Sequence, residues 1–481
     1  MTNPFPNTAD FSGFNQPARI ECDISDLVVQ GCIPDEIDGA WYRMTPDPQY
    51  PPLNGQDTFL SGDGMMSMFR IAAGHVDFKM RYVQTPRLQA ERAARGRLFG
   101  DYRNPFTDNP SVRHLSRATA NTTPIWHAGK LLAAKEDERP YRMDPLTLAT
   151  LGPWDFEGAL RSQTMTAHPR IDPDTGEMFV FGQEAGGIAT RDVSYAVIDR
   201  RGKLVSEEWF QAPYAALIHD FAVTKQHVVF PVFPTTADLQ RIRSGGPHWI
   251  WEPGRSSCIG VMPRGGSVKQ LRWFTGPAFM AYHIMNAFSA GDWVHLDLTR
   301  NRVNQFPFIR EASGIVAAAE DIPGDLVRWT FDLASKSEGF SERVLGPGGD
   351  FPRIACRDGM REYGIGYYQT YDPAIGPPLN IGPAGFGFNT ILRINLRTGA
   401  LQKFAPGPRI TVQEHVHIRS GRPGHEGYLA FVADLHEHNL SEVMLLEAAH
   451  LERGPIARIS MPLRLRCQFH GVWVPGEQLP H

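Results

Sequence analysis

Short apolar segments recur along the whole chain, each bounded by Gly, Pro, Asp or Asn. Examples are WHAGKLLAAKE (126–136), GEMFVFGQE (176–184), HVVFPVF (227–233), WVHLDL (293–298) and GYLAFVADL (427–435). Between them lie turn sequences such as DPLTLATLG, DPDTGE, DRRGKLV and NLRTGALQ. Alternating apolar residues between such turns predict antiparallel hairpins. Repetition at about forty to sixty residues per unit predicts an all-β chain of the β-propeller type. Three stretches do not fit the hairpin pattern: Gln84 to Asn121, Gly245 to Gly260 and Gly364 to Phe388. Loops of that length usually carry function, and they are expected to form a cover of loops and short helices over one face.

Length alone would allow three domains in 481 residues, but all-β folds often exceed that prior. No Pro/Ser-rich linker divides the chain, so residues 1–481 are expected to form a single propeller domain with its cap. The formal charge of −4 and the lack of a basic block argue against nucleic acid or anionic membrane surfaces as partners. The five cysteines are odd in number and form no CxxC pair, which predicts reduced thiols and a cytoplasmic location. The first residues lack a basic and then apolar leader pattern. No apolar run approaches the ~18 residues of a membrane span.

Four of the seventeen histidines lie in or beside strand-like segments far apart in sequence: His168 in TMTAHPR, His219 in ALIHDFAVT, His283 in AYHIMNAF and His470 in RCQFHGVWVP. No single helix or hairpin could gather them, whereas a fold that brings one strand per unit to a common axis could. His415 with His417, and His436 with His438, form closer pairs, but neither has a third ligand at metal spacing. Spacing alone leaves all of these a weak signal.

The flanking sequences change that weighing. LVVQGCIPDEIDGAWYRMTPDPQYPP, FLSGDGMMSMFRI, IHDFAVTKQHVVF, YHIMNAFSAGDWVHLDL, YLAFVADLHEHNLSEVMLLEA and LRCQFHGVWVP together resemble the carotenoid cleavage oxygenases, in order and over nearly the entire chain. The resemblance implies a seven-bladed propeller with Fe(II) on its axis and O2 as co-substrate. It implies His168, His219, His283 and His470 as ligands. Imidazole suits Fe(II), and ligating histidines need acceptors for their other ring N–H. The resemblance supplies Glu136, Asp350 and Glu414 as those acceptors, for His219, His283 and His470 respectively. Asp350 stands where the family usually has Glu; one methylene shorter, its direct contact with His283 is expected to be lost, bridged by water or recovered by a backbone shift. Thr122 matches a position near the open side of the iron.

Within the family, Tyr102 in FGDYRNPF and Lys135 in LLAAKEDERPY separate stilbene cleavers from carotenoid cleavers. The lignostilbene branch uses such a pair to grip the 4-hydroxyl of a phenolic ring. Lysine stabilises a phenolate and tyrosine donates a short hydrogen bond to it, which enriches the adjoining double bond in electrons. Strand alternation would point Lys135 away from Glu136, so a bulge or strand end is needed there. Phe59 and Phe308 are expected aromatic walls for a flat diaryl ligand, with Phe306 left to core packing. The sequence therefore reads as an Fe(II)-dependent dioxygenase cleaving the central C=C bond of 4-hydroxystilbenes, of the lignostilbene or resveratrol type, into two aromatic aldehydes. The alternatives are an apocarotenoid or carotenoid cleavage oxygenase, and an inactive ligand-binding propeller. The oligomeric state, a homodimer included, is left open.

Overall fold

The computed structural model of the protein describes residues 4–55, 57–315 and 324–480. Among these residues, seven antiparallel sheets of four to six strands succeed one another along the chain as the blades of a propeller. One strand of each blade is innermost, and several neighbouring blades touch through these strands. From the second blade to the sixth they are Thr123–His127, Arg170–Ile171, Ala222–Val223, Ile284–Ala290 and Asp350–Arg353. The seventh blade has a broken inner strand, Ile410–Val412 followed by Val416–Ile418.

Both chain ends sew the ring shut. Gly471–Pro475 is the inner strand of the first blade, pairing with Gly39–Pro46 so that Trp473 stands opposite Trp41. Val29–Gly31 crosses the other way and adds an outer strand to the last blade, with Val29 opposite Ile459. Closure of this kind ties the first and last blades to both chain ends and leaves only short, protected sheet edges.

Burial follows position in the blade. Gly39–Pro46 and Met178–Gln183 lie between neighbouring blades and are buried on both faces. The more peripheral strand His75–Tyr82 alternates between exposed and buried, as expected of a sheet with one wet face. An inner strand buried on both sides must find partners for every polar group it carries. Arg43, fully buried in Gly39–Pro46, therefore donates to Gln413 and Gln468.

The cover is built from the expected insertions, two of which are shorter than the sequence suggested. The stretch from Gln84 to Asn121 folds into an α-helix, Pro86–Ala94, and two 3-10 turns; the Thr85 hydroxyl accepts the Leu88 N–H at 3.2 Å and caps the helix. A second helix, Leu239–Arg243, leads into a small sheet of Thr235–Thr236, Ile250–Trp251 and Arg310–Glu311. Ser257–Pro263 and Ile365–Thr370 are blade strands, not cover. Their glycines gave them a loop-like appearance, yet Gly260 is where Trp273 lies against the backbone and Gly366 where Met285 does. All five cysteines are free. No helix among the described residues is long and apolar enough to cross a membrane.

Candidate metal centre

The blade repeat delivers one side chain per blade to the same end of the axis. His470, Thr122, His168, His219 and His283 come just before the inner strands of blades one to five. Asp350 opens that of blade six, and Glu414 lies at the break in that of blade seven. Four histidines, a threonine and two carboxylates thus share one structural position.

The ligand atoms of His168, His219, His283 and His470 lie within 4.8 Å of one another. The Nε2 atoms of His168 and His219 are 3.0 Å apart, and those of His219 and His283 are 3.2 Å apart. Imidazole nitrogens bind such metals at about 2.0–2.1 Å, so two ligands at right angles stand about 3 Å apart. The spacing therefore fits a common metal ion. Burial, reinforced by the neighbouring rings, pushes His168 and His219 well below the usual histidine range, which keeps them neutral and able to ligate.

Two rings are fixed from behind. His283 Nδ1 is 2.8 Å from Asp350 Oδ1 and His470 Nδ1 is 2.8 Å from Glu414 Oε1. Burial alone would raise both carboxyls, but His283 holds Asp350 low, and Arg353 with His470 holds Glu414 at about 2. Ionised carboxylates only accept, so each ring donates from Nδ1 and presents the Nε2 lone pair to the centre. Burial opposes the charged form of His283, yet Asp350 outweighs it and raises this ring. Arg353 reaches Glu414 at 2.7 Å, and the Gly471 N–H donates to its other oxygen at 2.7 Å.

The shorter Asp350 therefore reaches His283 directly. The backbone makes up the missing methylene: the register slips between Asp350 and Arg353, and Phe351 adopts φ 52°. A left-handed phenylalanine is strained and is found where a site over-determines it. Its ring stacks on His283 at 5.3 Å. Glu136 behaves in the opposite way to the expectation. Among the described residues no hydrogen bond joins it to His219. It follows the second strand of its blade, Lys130–Ala134, one strand further from the axis, and faces the cavity instead. Burial and the nearby Asp137 raise its carboxyl.

A cavity, part of it open to solvent, lies over the histidines beneath the cover. Lys135 and Glu136 both line it because the strand has ended at Ala134, so alternation no longer separates them. The Lys135 side chain is only 7% exposed; it pairs with Asp137 at 3.2 Å and lies over the Tyr102 ring at 5.4 Å. Burial, then Glu136, lifts the Tyr102 hydroxyl well above the usual phenol range, leaving it a neutral donor. Thr122 is buried at the wall and donates to Asn121 at 3.0 Å.

The aromatic walls were only half legible. Phe308 lines the cavity edge-on to Tyr102, with ring centroids 5.7 Å apart. Phe306, assigned to the core, also lines it and stacks on Phe308 at 5.4 Å. Phe59 is fully buried outside the lining, edge-on to the lining residue Phe469 at 5.6 Å. Trp249 and the 381–388 loop, both within stretches expected to form the cover, line the cavity, as do Tyr282 and Phe351, which had not been singled out. Of the decoy histidines, His415 is fully buried without a partner, His417 bonds the Glu426 carbonyl, and the ring nitrogen of His436 meets Thr411. His438 is exposed, as a polar turn predicts.

Comparison with known proteins agrees with this geometry. A solved structure of Pseudomonas brassicacearum lignostilbene dioxygenase superposes with a TM-score of 0.94 at 41% identity, covering 99% of this chain and 100% of that one. Lignostilbene-alpha,beta-dioxygenase isozyme III of Sphingomonas paucimobilis is 40% identical over 99% of both chains. Isoeugenol monooxygenase of Pseudomonas nitroreducens is 39% identical over 98% of both. The retinal pigment epithelial membrane protein family matches residues 15–475. The chain belongs to that family, the carotenoid cleavage oxygenases, non-haem iron enzymes that use O2 to cleave alkenes.

Proposed function

We propose that this enzyme cleaves the central C=C bond of a 4-hydroxystilbene with O2, giving two aromatic aldehydes. The observation that carries the reading is the pair of half-buried Tyr102 and buried Lys135 on the wall of an otherwise largely aromatic cavity over the four histidines. In this reading His168, His219, His283 and His470 hold iron, with Asp350 and Glu414 fixing two of the rings. Bound Fe(II) supplies the activation of O2. Tyr102 donates to the substrate phenol and Lys135 stabilises the phenolate, which enriches the alkene in electrons. Phe306 and Phe308 flank that ring. Phe351, Phe386, Phe388 and Phe469 line other parts of the cavity and suit a second aryl group. Thr122 and Glu136 face the space where the alkene would lie. A carotenoid hydrocarbon would offer Tyr102 and Lys135 no polar group to bind. The five free thiols accord with a cytoplasmic setting.

The relatives' names divide between lignostilbene and isoeugenol at similar identity. Both compounds are 4-hydroxyphenyl alkenes; they differ in whether a second ring follows the double bond. Purified iron-loaded protein, assayed in parallel on a hydroxystilbene, isoeugenol and an apocarotenal, is expected to favour the hydroxystilbene in kcat/KM. A preference for isoeugenol would move the reading to a single-ring substrate, and a preference for the apocarotenal would remove the phenol altogether.

The supports behind the ligands carry their own expectation. Asp350→Ala and Glu414→Ala should each weaken iron binding by roughly ten- to a hundredfold, the usual range for such partners. Glu136→Ala, which removes no hydrogen bond to a ligand, should keep its iron while turnover changes. Metal content after dialysis against a graded chelator separates the three variants; equal losses would show that Glu136 supports His219 after all.

A further inference from the structure

A chain of buried charges lies behind Lys135. Asp137 Oδ2 is 3.2 Å from Lys135 Nζ, and Arg103 Nη1 approaches the same oxygen at 3.7 Å. The other arm of Arg103 is held by Glu184 at 2.6 Å. The second Glu184 oxygen receives His248 Nε2 at 2.9 Å, while His248 Nδ1 faces the Arg103 carbonyl at 2.9 Å. Both ring nitrogens thus face acceptors. From the cavity inward the charges alternate: Lys135 positive, Asp137 negative, Arg103 positive and Glu184 negative, with His248 hydrogen-bonded behind Glu184.

Packing does not account for Arg103. Its side chain is 4% exposed, and among the described residues its Nη1 has no hydrogen-bond partner. Burying a guanidinium with one arm unpaired is costly. The Trp249 ring, 4.9 Å away, would pack as well against an apolar side chain. What Arg103 contributes is charge. Without it, Asp137 would face Lys135 as its one cation; with it, Asp137 is shared between two. Tyr102, Glu136 and Glu138 are the other titratable groups of this wall. Tyr102 is a neutral donor, Glu136 faces the cavity, and Glu138 is occupied by the Thr119 and Ala120 N–H groups at 2.9 and 2.7 Å.

We propose that Arg103, held by Glu184 and His248, is an electrostatic positioning residue for the substrate phenol: it offsets Asp137, so that the charge of Lys135 remains available to an anionic oxygen in the cavity. Arg103 does not line the cavity and acts through Asp137 and Lys135. The proposal rests on the reading of Lys135 as the cation that meets the phenol.

The test reads ionisation directly, without turnover. Iron-loaded enzyme under nitrogen is mixed with 4-hydroxy-4′-nitrostilbene, whose phenolate absorbs at longer wavelength than its phenol. Arg103→Met should lower the ratio of ionised to neutral bound probe on the order of tenfold, the effect of one buried unit charge several ångströms away. Arg103→Met with Asp137→Asn should restore the ratio to within about threefold of the parent, because the uncancelled anion has gone too. A merely structural arginine would not be rescued by a second change in the same cluster. An unchanged ratio in Arg103→Met, or a double variant no better than the single one, would overturn the proposal. Iron content and thermal midpoint report on folding. If Arg103→Met does not fold, Asp137→Asn alone decides: the probe should be at least as ionised as in the parent, and a loss would show that Asp137 only holds Lys135 in place. Lys135→Met separates the two readings. If it leaves the ratio unchanged, phenol binding by Lys135 is wrong; if it abolishes ionisation while Arg103→Met does nothing, only the role of Arg103 is wrong.

Discussion

His219→Ala and His283→Ala each lose iron and turnover together. The parent should hold about one iron per chain, bound by imidazoles with no directly coordinated carboxylate. Removing His219 takes away the ring whose Nε2 stands 3.0 and 3.2 Å from two of the others. Removing His283 in addition leaves Asp350 buried without the ring that holds it ionised. Neither change touches the strand pairings that close the ring, because both residues precede their strands and do not pair within them. Thermal unfolding should therefore still show a folded protein. Metal analysis of the purified variants, beside an O2-dependent assay, checks the expectation; full activity in a metal-free preparation would sink it.

Lys135→Met keeps its iron and loses most of its turnover on a hydroxystilbene. The substitution roughly keeps the length of the side chain and removes its charge. Loss of an electrostatic partner in a dry site is worth ~2–4 kcal/mol of transition-state stabilisation, roughly thirty- to a thousandfold in rate. The fold should tolerate the change because Asp137 retains Arg103 at 3.7 Å. Tyr102→Phe should act in the same direction and more mildly, since it removes one neutral donor. The parent enzyme should also be a poor catalyst on the 4-methoxy analogue, which fits the same cavity but cannot ionise. Rates on hydroxylated and methylated stilbenes, measured for parent and Lys135→Met, make the comparison. Equal cleavage of both compounds by the parent would end the case for phenol activation.

Element type and repeat were legible because they depend on local periods. Alternation between turn residues marks strands wherever it occurs, and the in-order flanking motifs carried the family, the propeller and the four histidines that stand together. Where the period is broken, the sequence misleads. Strand residues at the edge of a predicted loop, such as Gly260 in Ser257–Pro263, read as loop because close packing by Trp273 and a flexible turn call for the same residue. Taken without the family resemblance, the KEDER run containing Lys135 has the composition of a solvated surface segment. Its burial depends on the cover that folds over it from residues distant in sequence.

Contacts across the axis were decided only by the tertiary structure. That Asp350 reaches His283 follows from a register slip and a left-handed Phe351, neither of which a side-chain inventory contains. That Glu136 has no hydrogen bond to His219 follows from its place one strand further out. Phe306 lines the cavity and Phe59 lies behind it for the same reason: a sequence specifies which faces are apolar, but which apolar face meets a void is set by how separate blades and cover pack. The chain of groups from Lys135 to His248 joins segments around residues 103, 136, 184 and 248, and only their convergence turns five ordinary polar residues into one device.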